Sequence, residues 1–390
     1  MKLSFLIYKY FPYGGQQRDL FKIILSCLDR GHKVEVYTLN WQGDVPQGVE
    51  VKIVPVKALS RIKLYQRFTT WVLAKLALQS DRIVIGFNKM PGLDFYFAAD
   101  PCFAEKADTQ RGVYYKFTSR YRHFKKYEEV VFNSRARTEI LLLSPLQRNA
   151  FLKYYPDCSD RLHDVPPGIS RDRMVNSNRQ KDRDQFREEF SLSADKLLVL
   201  QVGSGFRIKG VDRSIRAIAA LPNELRRKVK FMLVGQDKPG QFKALARKLG
   251  IEKQFSVFPG RDDIPRFLAG ADLLLHPAYS ESAGYILLEA TIAGLPVLTT
   301  ATCGYAFHIN VAGSGEVCDE PFDQSELNQR LSAMLSGLKF SSWSQSGRKY
   351  GANDELYALG EKATDIIETK AQIQHELVTA LSMSSRRSSS

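Results

Sequence analysis

Short apolar runs alternate with helical patterns twice along this chain, once on each side of a highly charged interval at residues 171–189, and that alternation limits the fold more than any other feature. Before the interval, runs at 2–8, 33–39, 49–56, 82–87 and 138–143 read as strands, with a shorter apolar piece at 95–99; helical patterns cover 15–30 and the stretch ending at Trp71. The pattern restarts at 196–202 and continues through 228–235, 255–259, 272–276 and 297–300. Alternation of this kind belongs to parallel sheets with helices on both faces. A chain of 390 residues also exceeds one ordinary core. The expected fold is α/β, with Rossmann-like domains at 1–170 and 171–353, parallel sheets facing across a cleft, and the charged interval as linker. A last helix at 354–370 and a disordered Ser/Arg-rich end at 371–390 complete the expectation.

Ligands of such sheets bind beyond the carboxyl ends of the strands, which directs attention to the strand-to-helix turns. The most specific of these is His276-Pro-Ala-Tyr-Ser-Glu281-Ser-Ala-Gly284-Tyr285-Ile286-Leu-Leu-Glu289. The first N–H groups of a helix have no internal partner and carry partial positive charge, so a phosphate suits that place. Gly284 lets a diphosphate approach the N–H groups of Tyr285 and Ile286. Glu281 in the loop is placed to accept from sugar hydroxyls, and Glu289, about one turn deeper, from a ribose. The alternative is an unrelated pair of glutamates, one in a loop and one in a helix.

A second turn, Gly203-Ser-Gly205-Phe-Arg207-Ile208-Lys209-Gly210, opens the second half and carries cations. Lys209 suits a diphosphate as a point charge, with Arg207 beside it; the alternative is a solvated lysine. A third turn, Gly14-Gly15-Gln-Gln-Arg-Asp19, follows the first strand and is either a close approach for phosphate or sugar or a tight turn without a ligand. No His/Cys/carboxylate cluster has metal-ligand spacing, and Asp182-Arg183-Asp184 reads as solvated charge in the polar interval. No metal and no cofactor are expected.

The formal net charge of +14 asks for an anionic partner: a nucleotide, a nucleic acid or an anionic membrane. Five scattered cysteines without a C-x-x-C arrangement argue against a disulfide frame or a zinc site and for a reduced, cytoplasmic setting. Residues 3–7 are too short for a signal segment, and no apolar run is long enough to span a bilayer. Residues 111–126 hold six cations, five aromatics and no acid. Tyr114, Phe117, Tyr121 and Phe124 follow one helix face, as in helices that lie on anionic membranes. An ordinary core-facing helix is the alternative, and nucleic acid is disfavoured because no nucleic-acid motif accompanies the stretch.

Taken together, these strings resemble the retaining glycosyltransferases of the large family that includes sucrose synthase, glycogen synthase and bacterial lipopolysaccharide glucosyltransferases. The likeness is greatest to its lipopolysaccharide core enzymes. It runs through residues 6–15, 86–94, 96–100, 166–169, 209–214, 234–239 and 273–305. It implies the GT-B arrangement, with the nucleotide-sugar in the C-terminal domain, the acceptor in the N-terminal one, and a final helix crossing back. On that resemblance Glu281 contacts the transferred sugar, Glu289 the ribose, and Lys209 with the backbone from Gly284 to Ile286 the diphosphate. Gly14, Gly15 and Asp19 line the cleft, Arg173 and Arg261 match its cationic positions, and Asp100 meets the acceptor hydroxyl. The implied substrates are a UDP-sugar, glucose favoured, and a heptose of the lipid A inner core. The stretch from Phe103 to Phe132 would associate with the inner face of the inner membrane. One position departs: related enzymes have arginine directly before the lysine, where this chain has Ile208. An epimerase of the same architecture and a non-catalytic peripheral membrane protein are the rival classes.

Overall fold

The computed structural model describes residues 1–12, 14–79, 82–174, 179–337 and 340–387. The chain divides into two compact units, Met1–Gly168 with Ala358–Ser390, and Ile169–Tyr357. In the first unit, β1 (Lys2–Leu6), β2 (Lys33–Thr38), β3 (Val49–Ile53), β4 (Arg82–Gly86), β5 (Phe95–Phe97), β6 (Glu139–Leu142) and β7 (Leu162–Asp164) form one sheet. Its order is β3-β2-β1-β4-β5-β6-β7, with every neighbouring pair parallel. The second unit repeats the plan with β8 (Leu197–Val202), β9 (Val229–Val234), β10 (Phe255–Phe258), β11 (Leu273–His276), β12 (Val297–Thr300) and β13 (Gly315–Cys318). Here the order is β10-β9-β8-β11-β12-β13, again all parallel. Each unit is therefore a Rossmann-like α/β layer structure.

The apolar runs become strands because helices cover both sheet faces. Leu198, Val199 and Leu200 of β8 are fully buried although successive side chains point to opposite sides. The same geometry fixes where loops from distant parts of the sequence meet. In both sheets the order reverses beside the first strand, so β1 lies next to β4 and β8 next to β11. Loops that leave these neighbours at their carboxyl ends run to opposite faces and open a crevice.

Three readings change. The charged interval is not a linker where it is described: Arg179–Glu189 is a helix of the second unit. Phe186 is fully buried, contributing about 1.5–3 kcal/mol. Arg183 donates to the Ala271 carbonyl at 2.8 Å, and both Arg183 and Arg187 pair with Asp272. Residues 175–178 of the interval lie outside the described residues.

At the other end, a 3₁₀ turn Asp354–Tyr357 precedes a helix Leu359–Arg387, which continues through residues read as a disordered tail. Beyond Gly360 that stretch has neither glycine nor proline, so nothing in it breaks a helix. Residues 388–390 lie outside the described residues. The helix packs on Gly15–Asp29, where Arg30 pairs with Asp365 at 2.7 Å and with Glu368 at 2.6 Å.

The aromatic basic stretch, finally, is not one helix. A 3₁₀ turn Val113–Phe117 and a helix Ser119–Phe132 meet at Thr118, whose backbone is extended and whose hydroxyl accepts from the Tyr121 N–H at 3.1 Å. The capping threonine starts a new helix and breaks the continuous face. Val113, Tyr114 and Phe117 are exposed, while Tyr115, Tyr121 and Phe124 gather round Phe103 with centroids 5.6–6.4 Å away.

Candidate functional site

In the second unit, adjacency of β8 and β11 brings two of the sequence-selected turns together. The loop after β8 ends at Gly210, whose φ of +68° caps the helix Val211–Ala219. A Cβ at Gly210 would lie 1.9 Å from the carbonyl oxygen of Pro277, so the backbones approach closely only because this residue is glycine. The Tyr279 N–H donates to the Ile208 carbonyl at 2.8 Å, locking the two loops edge to edge. Lys209 thus faces Glu281. Its ammonium donates to Glu281 Oε1, while His276 Nε2 lies 2.7 Å from Glu281 Oε2.

The Glu281 loop is itself held from the far side. Its N–H donates to the Thr302 carbonyl at 3.1 Å, and its carbonyl accepts from the Gly304 N–H at 2.9 Å. Burial alone would raise the carboxyl; His276 and Lys209 outweigh it and hold Glu281 down to about 2. Glu281 is therefore a fixed anion and hydrogen-bond acceptor, not a proton donor near neutral pH. Cys303 Sγ completes a group whose ligating atoms lie within 4.8 Å of one another. That group does not suit a resident metal, since Lys209 and His276 already engage both carboxylate oxygens and burial pushes the Cys303 thiol up to about 12.

Three residues beyond Glu281, Gly284 at φ +102° caps the helix Tyr285–Ile292, and no side chain caps that end. Lys209, Glu281 and a helix N-terminus thus come from two neighbouring turns, one after β8 and one after β11. Glu289 is buried within the same helix. Other cationic candidates stand apart. Arg207 is exposed, Arg261 is engaged by Asp263 at 2.6 and 2.8 Å, and Arg173 sits in the 3₁₀ turn Arg171–Arg173. Ile208, the departing position, is also exposed and donates nothing toward the site.

The first unit holds the remaining candidates. Gly14 caps the helix Gly15–Asp29, the first helix after β1, and Asp19 is buried one turn inside it. Asp100, just after β5, opens onto a cavity of about 310 Å³. Surrounding protein raises its carboxyl, against the opposing pull of Lys89 and Lys106. Behind the cavity the buried Glu128 accepts from Lys89 Nζ at 2.5 Å, from the N–H groups of Phe103 and Ala104 at 2.6 and 2.9 Å, and from the Tyr155 hydroxyl at 3.0 Å. Burial opposes ionisation there, but Lys89 and the two N–H groups keep the carboxyl below its ordinary range. Glu128 thereby ties the helix Phe103–Gln110 to the helix Ser119–Phe132.

Sequence reasoning missed His276, Lys89 and Glu128. His276 carried a signal, as the residue that ends an apolar strand and opens the selected turn; the Lys89–Glu128 pair, 39 residues apart, carried none.

Comparison with known proteins agrees with this layout. Residues 182–350 match the family model for glycosyl transferases group 1. The chain is 46% identical over 369 residues to the lipopolysaccharide glucosyltransferase WaaG of Escherichia coli K12, covering 94% of this chain and 98% of that one. A crystal structure of WaaG superimposes with a TM-score of 0.87 at 45% identity, over 94% of this chain and 99% of its own. Anabaena HepE in complex with UDP-glucose shares the fold, with a TM-score of 0.73 at 16% identity over 95% and 100% of the two chains.

Proposed function

The chain belongs to the group 1 glycosyltransferases and has their GT-B fold of two Rossmann-like units, and on that premise we propose that it moves a hexose, glucose favoured, from a UDP-sugar to a heptose of the lipopolysaccharide inner core. The anomeric configuration is retained. The observation that carries the donor side is the Lys209–Glu281–His276 network set against the helix end at Gly284.

Breaking the sugar–phosphate bond leaves developing negative charge on UDP and positive charge on the sugar. Lys209 and the helix N-terminus at Tyr285 and Ile286 stabilise the first. Glu281, ionised at every working pH, accepts from hydroxyls of the transferred sugar, and Glu289 from the ribose. Lys209 shares itself between Glu281 and the diphosphate, which couples the sugar and phosphate ends of the donor. Glu281 cannot deprotonate the acceptor and then return as an acid, so the proton passes to an oxygen of the leaving phosphate. No step needs a metal. Gly14, Gly15 and Asp19 lie on the acceptor-bearing unit, where Asp100 contacts the acceptor and orients its attacking hydroxyl.

The enzyme works at the cytoplasmic face of the inner membrane. No described helix is long and apolar enough to cross a membrane, and the exposed Val113, Tyr114 and Phe117, set among basic residues, support docking to anionic lipid. Substituting serine at those three positions lowers sedimentation with anionic vesicles; equal binding to anionic and neutral vesicles would count against the electrostatic part. The catalytic reading is tested by incubating the protein with UDP-glucose, UDP-galactose or UDP-N-acetylglucosamine and a lipopolysaccharide ending at the heptose, then weighing the acceptor. Gain of one hexose residue supports the proposal. Gain of an N-acetylhexosamine reassigns the donor, and no gain with any donor removes the catalytic reading.

A further inference from the structure

The cavity beside Asp100 has a charge balance that transfer to a neutral hydroxyl does not require. Arg61, Lys89, Lys106, Arg111 and Arg120 line it, against the single carboxylate of Asp100. Lys89 is committed to Glu128. Among the described residues Arg61, Lys106, Arg111 and Arg120 form no ion pair, although ion pairs are common elsewhere on this chain. Two of the guanidinium groups are held by aromatic faces instead: Arg111 lies 5.5 Å from the Tyr115 centroid and Arg120 5.4 Å from that of Phe124. An aromatic face orients a guanidinium without neutralising it.

Like charges gathered this closely repel one another. Burial lowers the Lys106 ammonium below its ordinary value, and Arg111, Arg120 and Lys89 lower it further against the opposing pull of Asp100. Arg61, Arg111 and Arg120 are exposed and Lys106 is half-buried, so an anionic ligand in the cavity meets four cations that no ion pair already neutralises. The walls favour a saccharide as that ligand. Tyr8 and Tyr65 stack at 3.7 Å between centroids, and Phe103, Tyr115 and Phe124 add further ring surface for the C–H faces of a sugar. Arginine forks match carboxylate and phosphate oxygens two at a time.

We infer that this cavity recognises the acidic substituents, carboxylate or phosphate, of the acceptor saccharide through Arg61, Lys106, Arg111 and Arg120, so that the enzyme selects an anionic sugar and not any heptose. The inference deepens the acceptor reading given above and rests on it. Asp100, the one carboxylate in the ring, takes the neutral end of the acceptor, while the cations fix its charged groups and thereby its register.

Four forms of a lipid-free acceptor saccharide serve as probes: intact, phosphate-free, carboxyl-reduced, and lacking both groups. For the wild-type enzyme the KM for the acceptor rises by about tenfold or more for each charge-assisted hydrogen bond removed, and the phosphate-free and carboxyl-reduced forms show which acid is read. Arg61→Gln, Lys106→Gln and Arg111→Gln raise the KM for the intact acceptor and leave the KM for the form without acids unmoved, and Arg111→Lys recovers part of the loss. Calorimetric titration of the intact saccharide follows binding without transfer. If no acceptor receives a sugar yet the intact saccharide still binds in a manner dependent on these cations, the transferase reading fails and the anion site stands. Equal effects of the substitutions on charged and uncharged acceptors would overturn the inference. So would a loss of vesicle binding with acceptor KM unchanged, which would assign the cations to a membrane.

Discussion

Replacing Glu281 by glutamine keeps the side chain's shape and removes the charge on which both Lys209 and His276 converge. The fall of the Glu281 carboxyl from its ordinary 4.5 to about 2, net of the burial that opposes it, corresponds to about 3 kcal/mol favouring the ionised form in the folded protein. A folded value below the unfolded one gives stability that is complete above about pH 4.5 and is lost as the pH falls through 2. Glu281→Gln therefore loses about 3 kcal/mol at pH 7, part of it because Lys209 and His276 are left without their anion, and roughly half that at pH 3. Two compact units need not unfold together, so the assay is hydrogen exchange of the β8 and β11 amides in the two proteins at both pH values. Turnover with UDP-glucose falls in parallel by about two orders of magnitude, the scale of one charge-assisted hydrogen bond made in the transition state. A variant with wild-type exchange and wild-type turnover would refute both the electrostatic account of the site and its assignment to the donor sugar.

Two further outcomes follow from the same geometry. His308 is buried, with Nδ1 2.6 Å from the Tyr350 hydroxyl, and burial lowers its imidazole to about 4. Below about pH 6.5 the unfolded chain takes up a proton that the folded one refuses, so stability drops by about 3 kcal/mol toward pH 4; denaturation from pH 7.5 to 4.5 should show that slope in the wild type and a flatter one in His308→Phe. Gly210→Ala places a methyl against the Pro277 carbonyl at a positive φ, which costs about 2 kcal/mol or more. Because Lys209 moves with it, thermal unfolding and the KM for UDP-glucose should both change.

The fold was legible in the sequence wherever a strand is buried on both sides, because such strands are written as unbroken apolar runs. β7 and β13 escaped that signal: Leu162-His-Asp and Gly315-Glu-Val-Cys are short edge strands, half exposed, with one or two apolar residues each. The helix Arg179–Glu189 was hidden by its own charge, since its attachment depends on one phenylalanine and on arginines whose partner, Asp272, lies more than 80 residues away. Thr118 broke the aromatic helix face by capping, an effect that spacing alone does not reveal.

At the candidate site, the turns are visible through glycine and charge at strand ends, and Lys209 and Glu281 stand in separate turns 72 residues apart. What sequence could not supply was their meeting. That depends on β8 lying beside β11 and on Gly210 pressing against Pro277, both properties of the sheet order. The same holds for the cavity beside Asp100, whose cations come from the helix Arg61–Leu76, the loop at Lys89, the helix Phe103–Gln110, the loop at Arg111 and the helix Ser119–Phe132. In the sequence only Arg111 and Arg120 share the basic stretch at 111–126; Arg61, Lys89 and Lys106 lie outside it.

Metal-free catalysis through Lys209 is checked by transfer of labelled glucose from UDP-glucose to heptose-terminated lipopolysaccharide, measured in excess chelator for the wild type and for Lys209→Met. The wild-type rate stays undiminished under chelation, and Lys209→Met is slower by about 10²–10³-fold. No labelled product from the wild type, or a rate that does not depend on Lys209, would contradict metal-free catalysis through Lys209.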